Sequence, residues 1–295
     1  MHIDSAVTYS DIEARHILQP LFAVLLQAGI ANAISDARCL LGLVLGRDDP
    51  VLPHEIIPRW TPDHQEQLES LRLRRQIGEP ISRLRGWREF WSMRFDVSPA
   101  TLDPRPDSET VIAAATVWAR EHRPSARILD LGTGTGCLLL SCLAELPEAT
   151  GVGLDISAEV VTVATANADR HGLSDRSWFC QDDFAADLTG YGEFDLILSN
   201  PPYIPSADIE ALDVSVRHFD PLGALDGGFD GLDCWRILCP QIAILLANNG
   251  AAFVEIGAGQ GKAVGSLGAA SKLHLAGSFT DLSGHERCLH FQKEK

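Results

Sequence analysis

The stretch "RILDLGTGTGCLLL", residues 127–140, decides the fold that we predict for this chain. Its first five residues form a short apolar run typical of a buried strand, and the residues from Cys137 onward have the apolar content of a buried helix. Glycines at 132, 134 and 136 let the backbone between these two elements turn tightly and approach a ligand closely. The dinucleotide-binding fingerprint G-x-G-x-x-G would need its third glycine at position 137, which is a cysteine here.

The same alternation of strand and helix continues along the chain. Strands are predicted at 127–131, 150–155, 178–181, 194–199 and 251–256, with a late pair near 273–279 and 286–292. Helices are predicted at 108–121, 137–146, 157–170, 232–247 and 259–270. This order is typical of an α/β fold with a parallel sheet covered on both faces. Because such sheets bind ligands outside the carboxyl ends of their strands, polar residues at those ends are the candidate site.

The amino-terminal part has a different pattern. Residues 11 to about 77 have apolar residues at helical spacing in "DIEARHILQPLFAVLLQAGI" (11–30) and "SDARCLLGLVLGRDD" (35–49), with Ser35 or Asp36 as the expected cap of the second helix. We therefore predict three parts: a small helical domain at 1–80 for recognition or support, a linker with short strands at 81–105, and an α/β domain at 106–295.

Composition narrows the function classes. The chain has 295 residues, 45% of them hydrophobic, and a net charge of −16, which disfavours binding to naked nucleic acid. The seven cysteines are odd in number and contain no C-x-x-C pair, so we expect core thiols, no metal site and a reducing cytoplasm. We expect neither a signal peptide nor a membrane span, since the start "MHIDSAVTYSDIE" is acidic and no apolar run approaches about 18 residues.

The glycine-rich loop, preceded by an acid, resembles that of S-adenosylmethionine-dependent methyltransferases, although a nucleotide-binding dehydrogenase stays open. The resemblance implies that the cofactor is held by Asp130, Gly132, Thr133, Gly134, Thr135 and Gly136. Asp155, at the end of the next predicted strand, could accept hydrogen bonds from both ribose hydroxyls in either class, or could merely cap the helix near Ser157. Asp182 and Asp183 end the third strand, and either could accept a hydrogen bond from the adenine amine.

A rigid polar segment follows the fourth predicted strand. In "LILSNPPYIPSAD" (196–208), Pro201 and Pro202 each fix their own φ and restrict the residue before them, which holds Asn200 and Tyr203 in a fixed relation. In a methyltransferase, Asn-Pro-Pro-Tyr resembles the signature of enzymes that methylate planar nitrogens, namely base amino groups or the glutamine amide. The Asn200 oxygen and the Pro201 carbonyl can accept both N–H groups of such a nitrogen, and the Tyr203 ring can stack on it. The alternative is a simple proline-rich turn.

Three longer segments resemble the peptide chain release factor glutamine methyltransferases, the HemK-like family. They are "GEPISRLRGWREFWSMRFDVSPATLDPRPDSETVI" (78–112), "FDPLGALDGGFDGL" (219–232) and "DLSGHERCLHF" (281–291). The resemblance implies a Rossmann-like class I methyltransferase sheet with a small amino-terminal helical domain. It also implies methyl transfer to the glutamine of the Gly-Gly-Gln loop of class I release factors. By this resemblance, the catalytic residues would be Asn200, Pro201, Pro202 and Tyr203. The same four residues would bind the substrate together with Arg105 and Glu109, and Asn200 would also contact the cofactor.

Two positions depart from the family pattern: Asp103 stands where an aliphatic residue is usual, and Ser108 stands where threonine is common. Two other functions stay open at this point, a nucleic-acid amino methyltransferase and a non-catalytic cofactor-binding module. Residues 72–94 hold seven arginines against two glutamates, either as a docking strip for an acidic protein surface or as a solvated face. The arginines are Arg72, Arg74, Arg75, Arg83, Arg85, Arg88 and Arg94.

Overall fold

A computed structural model describes residues 10–293 of the chain. Residues 1–9, the first part of the acidic start considered above for a signal peptide, lie outside the described residues, as do 294–295. The chain divides into two compact units, residues 1–85 and 86–295. None of the helices within residues 10–293 has the length and apolar content of a membrane-spanning segment.

The first unit combines four helices with a two-stranded antiparallel sheet. Its elements are β1 (Ser10–Glu13), α1 (Arg15–Gln27), α2 (Ala33–Val44), β2 (Ile56–Trp60), α3 (Pro62–Gln76) and α4 (Ile81–Arg85). Leu25, Leu40 and Leu41 are fully buried in its core. The helix expected from residue 11 begins only at Arg15, because β1 pairs with β2 across more than 40 residues of chain, a partnership that local periodicity does not encode.

The expected cap of the second helix is wrong. α2 begins at Ala33 after Asn32, so Ser35 and Asp36 lie inside its first turn. The Asp36 carboxylate accepts a hydrogen bond from Arg75 Nε of α3 at 2.8 Å, and both side chains are largely buried. Asp36 therefore joins two helices instead of capping one.

The arginine-rich segment is not a set of free charges. Arg72 pairs with Glu69, Arg74 with Glu79, and Arg75 with Asp36, all within the first unit. In the second unit, Arg88 lies 3.8 Å from Asp103, and the Arg94 guanidinium lies 4.6 Å from the centre of the Trp87 ring. Docking of an acidic protein surface by this segment stays a prediction.

The second unit begins with a hairpin and continues as an α/β domain. The hairpin pairs β3 (Trp87–Phe90) with β4 (Met93–Asp96), and its turn residues Trp91 and Ser92 have positive φ. The strands that follow are β5 (Arg127–Leu131), β6 (Thr150–Asp155), β7 (Ser177–Gln181), β8 (Phe194–Ser199), β9 (Leu246–Glu255), β10 (Leu273–Thr280) and β11 (Glu286–Lys293). The helices are α5 (Glu109–His122), α6 (Cys137–Glu145), α7 (Ala158–Arg170), α8 (Val214–Arg217), α9 (Asp233–Leu245) and α10 (Gly261–Ala270).

The sheet has seven strands in the order β10-β11-β9-β8-β5-β6-β7. The five strands from β9 to β7 are parallel, as predicted, whereas β11 runs antiparallel to both β9 and β10. The late pair is antiparallel because it is joined by a tight turn over residues 281–285 instead of a crossover helix. Successive residues of β5 point to opposite faces of the sheet, and Ile128 and Leu129 belong to two different hydrophobic cores. Each face of the sheet is therefore covered by helices.

β9 starts earlier than predicted, at Leu246 instead of 251, and α9 ends at Leu245. Its pairing with β8 shifts register between Phe194 and Leu196, and Asn249 takes a positive φ there. In the sheet, β5 lies between β6 and β8. Along the chain, β6 and β7 extend the sheet on one side of β5, and β8 and β9 then extend it on the other side, so the order of strands reverses beside β5. Doubly wound sheets bind ligands at the carboxyl ends of strands at such a switch point.

Candidate active site

The glycine-rich loop joins β5 to α6 at the switch point. The backbone N–H groups of Gly132 and Thr133 both donate to the Leu154 carbonyl of β6 at 2.9 Å, which holds the loop against the neighbouring strand. Gly134 has a φ of 55°, and a Cβ added to it would meet no atom within 4 Å. Position 134 therefore combines a backbone conformation that favours glycine with open space on the side a side chain would fill.

Two predicted acids hold this loop in different ways. Asp130 is fully buried, and its Oδ2 accepts from the Thr133 hydroxyl at 2.7 Å. Burial raises the pKa of Asp130 to about 7, against the lowering effect of the Thr133 bond. Asp155 accepts from the N–H of Gly134 and from the N–H of Ser157, each at 3.1 Å, and burial raises its pKa as well. Asp130 therefore stabilises the loop from a fully buried position, whereas Asp155 lines the cavity.

A cavity of about 590 Å³ lies at the carboxyl ends of the parallel strands. Of the predicted site residues, those lining it are Arg105, Gly132, Thr133, Gly134, Thr135, Asp155, Asp183, Asn200 and Pro202. Sequence reasoning missed its apolar wall, which includes Leu138, Ile156, Val160 and Phe184. This volume and a mainly apolar wall with a few polar groups are ordinary for a small-molecule site.

The structure separates the two acids that sequence left undecided. Asp183 lines the cavity. Asp182 instead accepts from the Tyr191 hydroxyl at 2.9 Å and from the Asp183 N–H at 2.8 Å. Asp183 is therefore the one of the two acids that borders the cavity, and its Oδ1 also accepts from the Ala185 N–H at 2.8 Å.

The Asn-Pro-Pro-Tyr segment leaves β8 at the edge of the cavity. The Ser199 hydroxyl donates to the Leu131 carbonyl at 2.7 Å, which ties the end of β8 to the end of β5. Asn200 Nδ2 donates to Ser108 Oγ at 3.1 Å. Because the nitrogen end of the carboxamide is engaged by Ser108, the oxygen end is the hydrogen-bond acceptor that this side chain brings to the cavity.

Tyr203 is fixed from two directions. Its hydroxyl donates to Glu255 Oε1 at 3.2 Å, and its backbone carbonyl accepts from Gln260 Nε2 at 2.9 Å. Burial raises the pKa of the Tyr203 hydroxyl, and the nearby Glu255 carboxylate raises it further. Sequence reasoning missed Glu255, although an acid at the carboxyl end of a predicted strand is the same signal that pointed to Asp155.

The predicted substrate residues of the preceding segment have structural partners. Arg105 lines the cavity and forms an ion pair with the buried Asp220. Glu109 Oε1 accepts from the Trp91 backbone N–H at 2.9 Å, so this carboxylate holds the β3–β4 turn. Pro201 is buried, and Pro202 lines the cavity.

The two positions that depart from the family pattern, Asp103 and Ser108, both have hydrogen-bond partners in the structure. Asp103 is buried, its backbone N–H donates to Asp220 Oδ1 at 3.1 Å, and its carboxylate lies 3.8 Å from Arg88. Serine and threonine both supply the hydroxyl that Asn200 bonds, so Ser108 retains the group that the site uses. Among residues 10–293, no cluster of three His, Cys, Asp or Glu side chains could hold a metal ion.

This sheet order, glycine-rich loop and strand-end acid define a class I methyltransferase fold. Residues 122–235 match the family described as "Methyltransferase domain". Release factor glutamine methyltransferase of Rhodospirillum rubrum is 46% identical over 270 residues, which cover 89% of this chain and 79% of that protein. The enzymes of the same name from Bradyrhizobium diazoefficiens and Agrobacterium fabrum are 45% and 37% identical, over 86% and 98% of this chain and 85% and 98% of their own lengths. The chain belongs to the release factor glutamine methyltransferase family.

Proposed function

We propose that this protein transfers a methyl group from S-adenosylmethionine to a glutamine side chain of class I peptide chain release factors. The acceptor is the amide nitrogen of the glutamine in the Gly-Gly-Gln motif. The observation that carries the proposal is the 3.1 Å bond from Asn200 Nδ2 to Ser108 Oγ, which leaves the Asn200 oxygen to accept an amide N–H at the cavity. The names of the relatives support the same substrate.

The residues around the cavity fit the cofactor. The open space beside Gly134 admits a ligand close to the backbone. The Asp155 oxygens each accept one backbone N–H and retain lone pairs for the two ribose hydroxyls. Asp183 would accept from the adenine amine, and the apolar side chains of Ile156, Val160 and Phe184 would contact the base. Bound S-adenosylmethionine supplies an electrophilic methyl group.

The protein groups address the weak nucleophilicity of an amide nitrogen, whose lone pair is delocalised into the carbonyl. The Asn200 oxygen and the Pro201 carbonyl would accept the two N–H groups and orient the nitrogen. These acceptors would also stabilise the positive charge that develops on the nitrogen, and because they are held in place beforehand they need no reorganisation. The nitrogen can lose its proton to water afterwards, so the site needs no strong general base.

Charge also favours a protein substrate. A net charge of −16 opposes the phosphate backbone of a nucleic acid, so we propose no direct nucleic-acid partner and no membrane partner. Because release factors act in translation, we propose that the reaction takes place in the cytoplasm.

The test is incubation of the purified protein with release factors and labelled cofactor, followed by mapping of the modified residue. We expect one label per release factor, on the Gly-Gly-Gln glutamine. Release factor with that glutamine replaced by alanine is the matched control and should take up no label. Label on another residue type, or on nucleic acid supplied in parallel, would reject the proposal.

A further inference from the structure

Gln260 is a half-buried glutamine that immediately precedes α10 and does not line the candidate cavity. Its Nε2 donates to two backbone carbonyls, that of Tyr203 at 2.9 Å and that of Gly231 at 3.2 Å. Its Oε1 accepts from the Gly257 backbone N–H at 2.9 Å. A carbonyl only accepts and a backbone N–H only donates, so these partners fix the orientation of the Gln260 carboxamide.

The three partners belong to three different segments that meet at Tyr203. Tyr203 ends the Asn-Pro-Pro-Tyr segment, Gly257 follows β9, and Gly231 lies in the loop before α9. A Cβ added to Gly231 would lie 2.3 Å from the Tyr203 carbonyl oxygen, and one added to Gly257 would lie 3.1 Å from Tyr203 Cδ2. The backbones of both segments therefore pack directly on Tyr203, as only glycine allows, and the Gln260 side chain joins all three.

The segment that carries Gly231 also forms part of the cavity wall. The chain after the Asn-Pro-Pro-Tyr segment pairs with it: the Ile204 N–H donates to the Leu225 carbonyl at 3.0 Å, and the Ile204 carbonyl accepts from the Gly227 N–H at 2.8 Å. The residues of this segment that line the cavity are Pro221, Gly223, Ala224 and Asp226. One wall of the cavity and the Asn-Pro-Pro-Tyr segment thus form a single hydrogen-bonded unit, and Gln260 bonds to both of its parts.

We infer that Gln260 is a positioning residue for methyl transfer, which holds the Asn-Pro-Pro-Tyr segment and the adjoining cavity wall in the relation that the substrate amide needs. The two prolines make the chain from Asn200 to Tyr203 stiff, so a bond that fixes the Tyr203 carbonyl also limits the direction of Asn200. The Pro201 carbonyl, the second proposed acceptor, lies within this stiff stretch. The inference rests on the proposed function for the identity of the substrate, but not for the contacts themselves.

The kinetic test compares two substitutions of the same side chain. Gln260→Met has a similar length and loses all three hydrogen bonds. Gln260→Glu keeps an oxygen that can accept from the Gly257 N–H, but it replaces the donor to the Tyr203 and Gly231 carbonyls by a second acceptor. Both variants should lower kcat roughly 10- to 100-fold, as misplaced reacting groups do, while the cofactor Kd stays within about threefold.

Gln292→Met is the matched control for these variants. Gln292 is a half-buried glutamine of β11 that pairs with Ala251 of β9 and does not line the cavity, so its kcat should equal that of wild type. Wild-type kcat in Gln260→Met would overturn the inference. So would wild-type kcat in Gln260→Glu alone, because only the Gly257 bond would then matter. Equal losses of kcat and cofactor affinity in both variants would show a general distortion of the cavity instead of positioning.

A second test needs no substrate. The chain has three tyrosines, so 3-fluorotyrosine labelling gives a simple ¹⁹F spectrum, in which Tyr203→Phe identifies the Tyr203 signal. We expect that signal to shift in Gln260→Met and to keep its position in Gln292→Met, whereas the Tyr191 signal should stay unchanged in both. A Tyr203 signal unchanged in Gln260→Met would overturn the inference. If wild-type protein failed to label release factors while the Tyr203 signal still depended on Gln260, only the proposed function would fail.

Discussion

The N–H of Gly134 donates to Asp155 Oδ2 at 3.1 Å, so the glycine-rich loop and the acid at the end of β6 form one hydrogen-bonded unit. Residues 21 positions apart in sequence thereby share one wall of the cavity. The two residues that we propose bind the cofactor therefore depend on one another for their positions.

Asp155→Ala should weaken S-adenosylmethionine binding by about 1 to 3 kcal/mol, through the lost ribose hydrogen bonds and the freed loop N–H. Isothermal titration calorimetry measures this directly. Asp169→Ala, which removes an exposed acid of α7 that bonds Ser174, is the control and should leave the affinity unchanged. Equal affinity in both variants would show that Asp155 does not contact the ligand.

Gly134→Val should abolish measurable cofactor binding, because it puts a β-branched side chain into the space beside the loop and strains a backbone with a φ of 55°. A control must separate the effect of backbone strain from steric blockage of the cofactor by the valine side chain. Gly172→Val serves that purpose, since Gly172 has a φ of 65° and open surroundings in the turn after α7, and it does not line the cavity. We expect Gly172→Val to lower the unfolding free energy yet bind cofactor normally, and a similar binding loss in both variants would contradict blockage.

Asn200→Ala should reduce methyl transfer by about 10²- to 10³-fold, the usual effect of losing one preorganised group that stabilises developing charge. Cofactor affinity should change only a few-fold, since the lost acceptor acts mainly on the transferring nitrogen. The measurement is single-turnover transfer of labelled methyl to release factor, with calorimetry on the same preparation. Activity within tenfold of wild type would remove Asn200 from the mechanism.

Arg75→Met should lower the free energy of unfolding of the first unit by about 1 to 3 kcal/mol, because it leaves Asp36 buried without its cation. Arg74→Met removes a neighbouring arginine whose side chain is 47% exposed and should cost less than about 1 kcal/mol. Urea denaturation followed by circular dichroism compares the two. Equal losses of unfolding free energy in the two variants would mean that the Asp36–Arg75 ion pair stabilises the first unit no more than a surface ion pair does.

Asp130→Asn should change how stability depends on pH. The folded-state pKa of about 7 lies above the ordinary aspartate value of 3.8, so the folded protein binds a proton that the unfolded chain releases. That proton stabilises wild type as pH falls from about 7 toward 4, by up to about 4 kcal/mol relative to the variant. The relative gain is lost again as pH rises through 7.

Urea titrations at pH 5, 6.5 and 8 measure this difference. Asp187→Asn is the control, since hydrogen bonds from Thr189 hold the pKa of that exposed carboxyl below its usual value. The difference in unfolding free energy between Asp187→Asn and wild type should be the same at all three pH values. A flat difference for Asp130→Asn as well would show that Asp130 stays ionised in the folded protein.

Much of the α/β domain could be predicted from sequence because its signals are local. The strand at 127–131, the helix from 137 and the glycines between them follow from apolar spacing and backbone freedom over a few residues. That Gly134, Asp155 and Asn200 line one cavity could be anticipated, because parallel strands bring their carboxyl ends to one edge of a sheet.

Pairings between distant segments needed the tertiary structure. The β1–β2 ladder, the Asp36–Arg75 bond and the assignment of Asp183 instead of Asp182 to the cavity each depend on a partner far away or on the direction of a side chain. The same holds for the bond from Asn200 to Ser108 and the bond from Tyr203 to Glu255, whose partners are more than 50 residues apart. Local sequence determines which residues can accept or donate a hydrogen bond, but only packing decides which donor meets which acceptor.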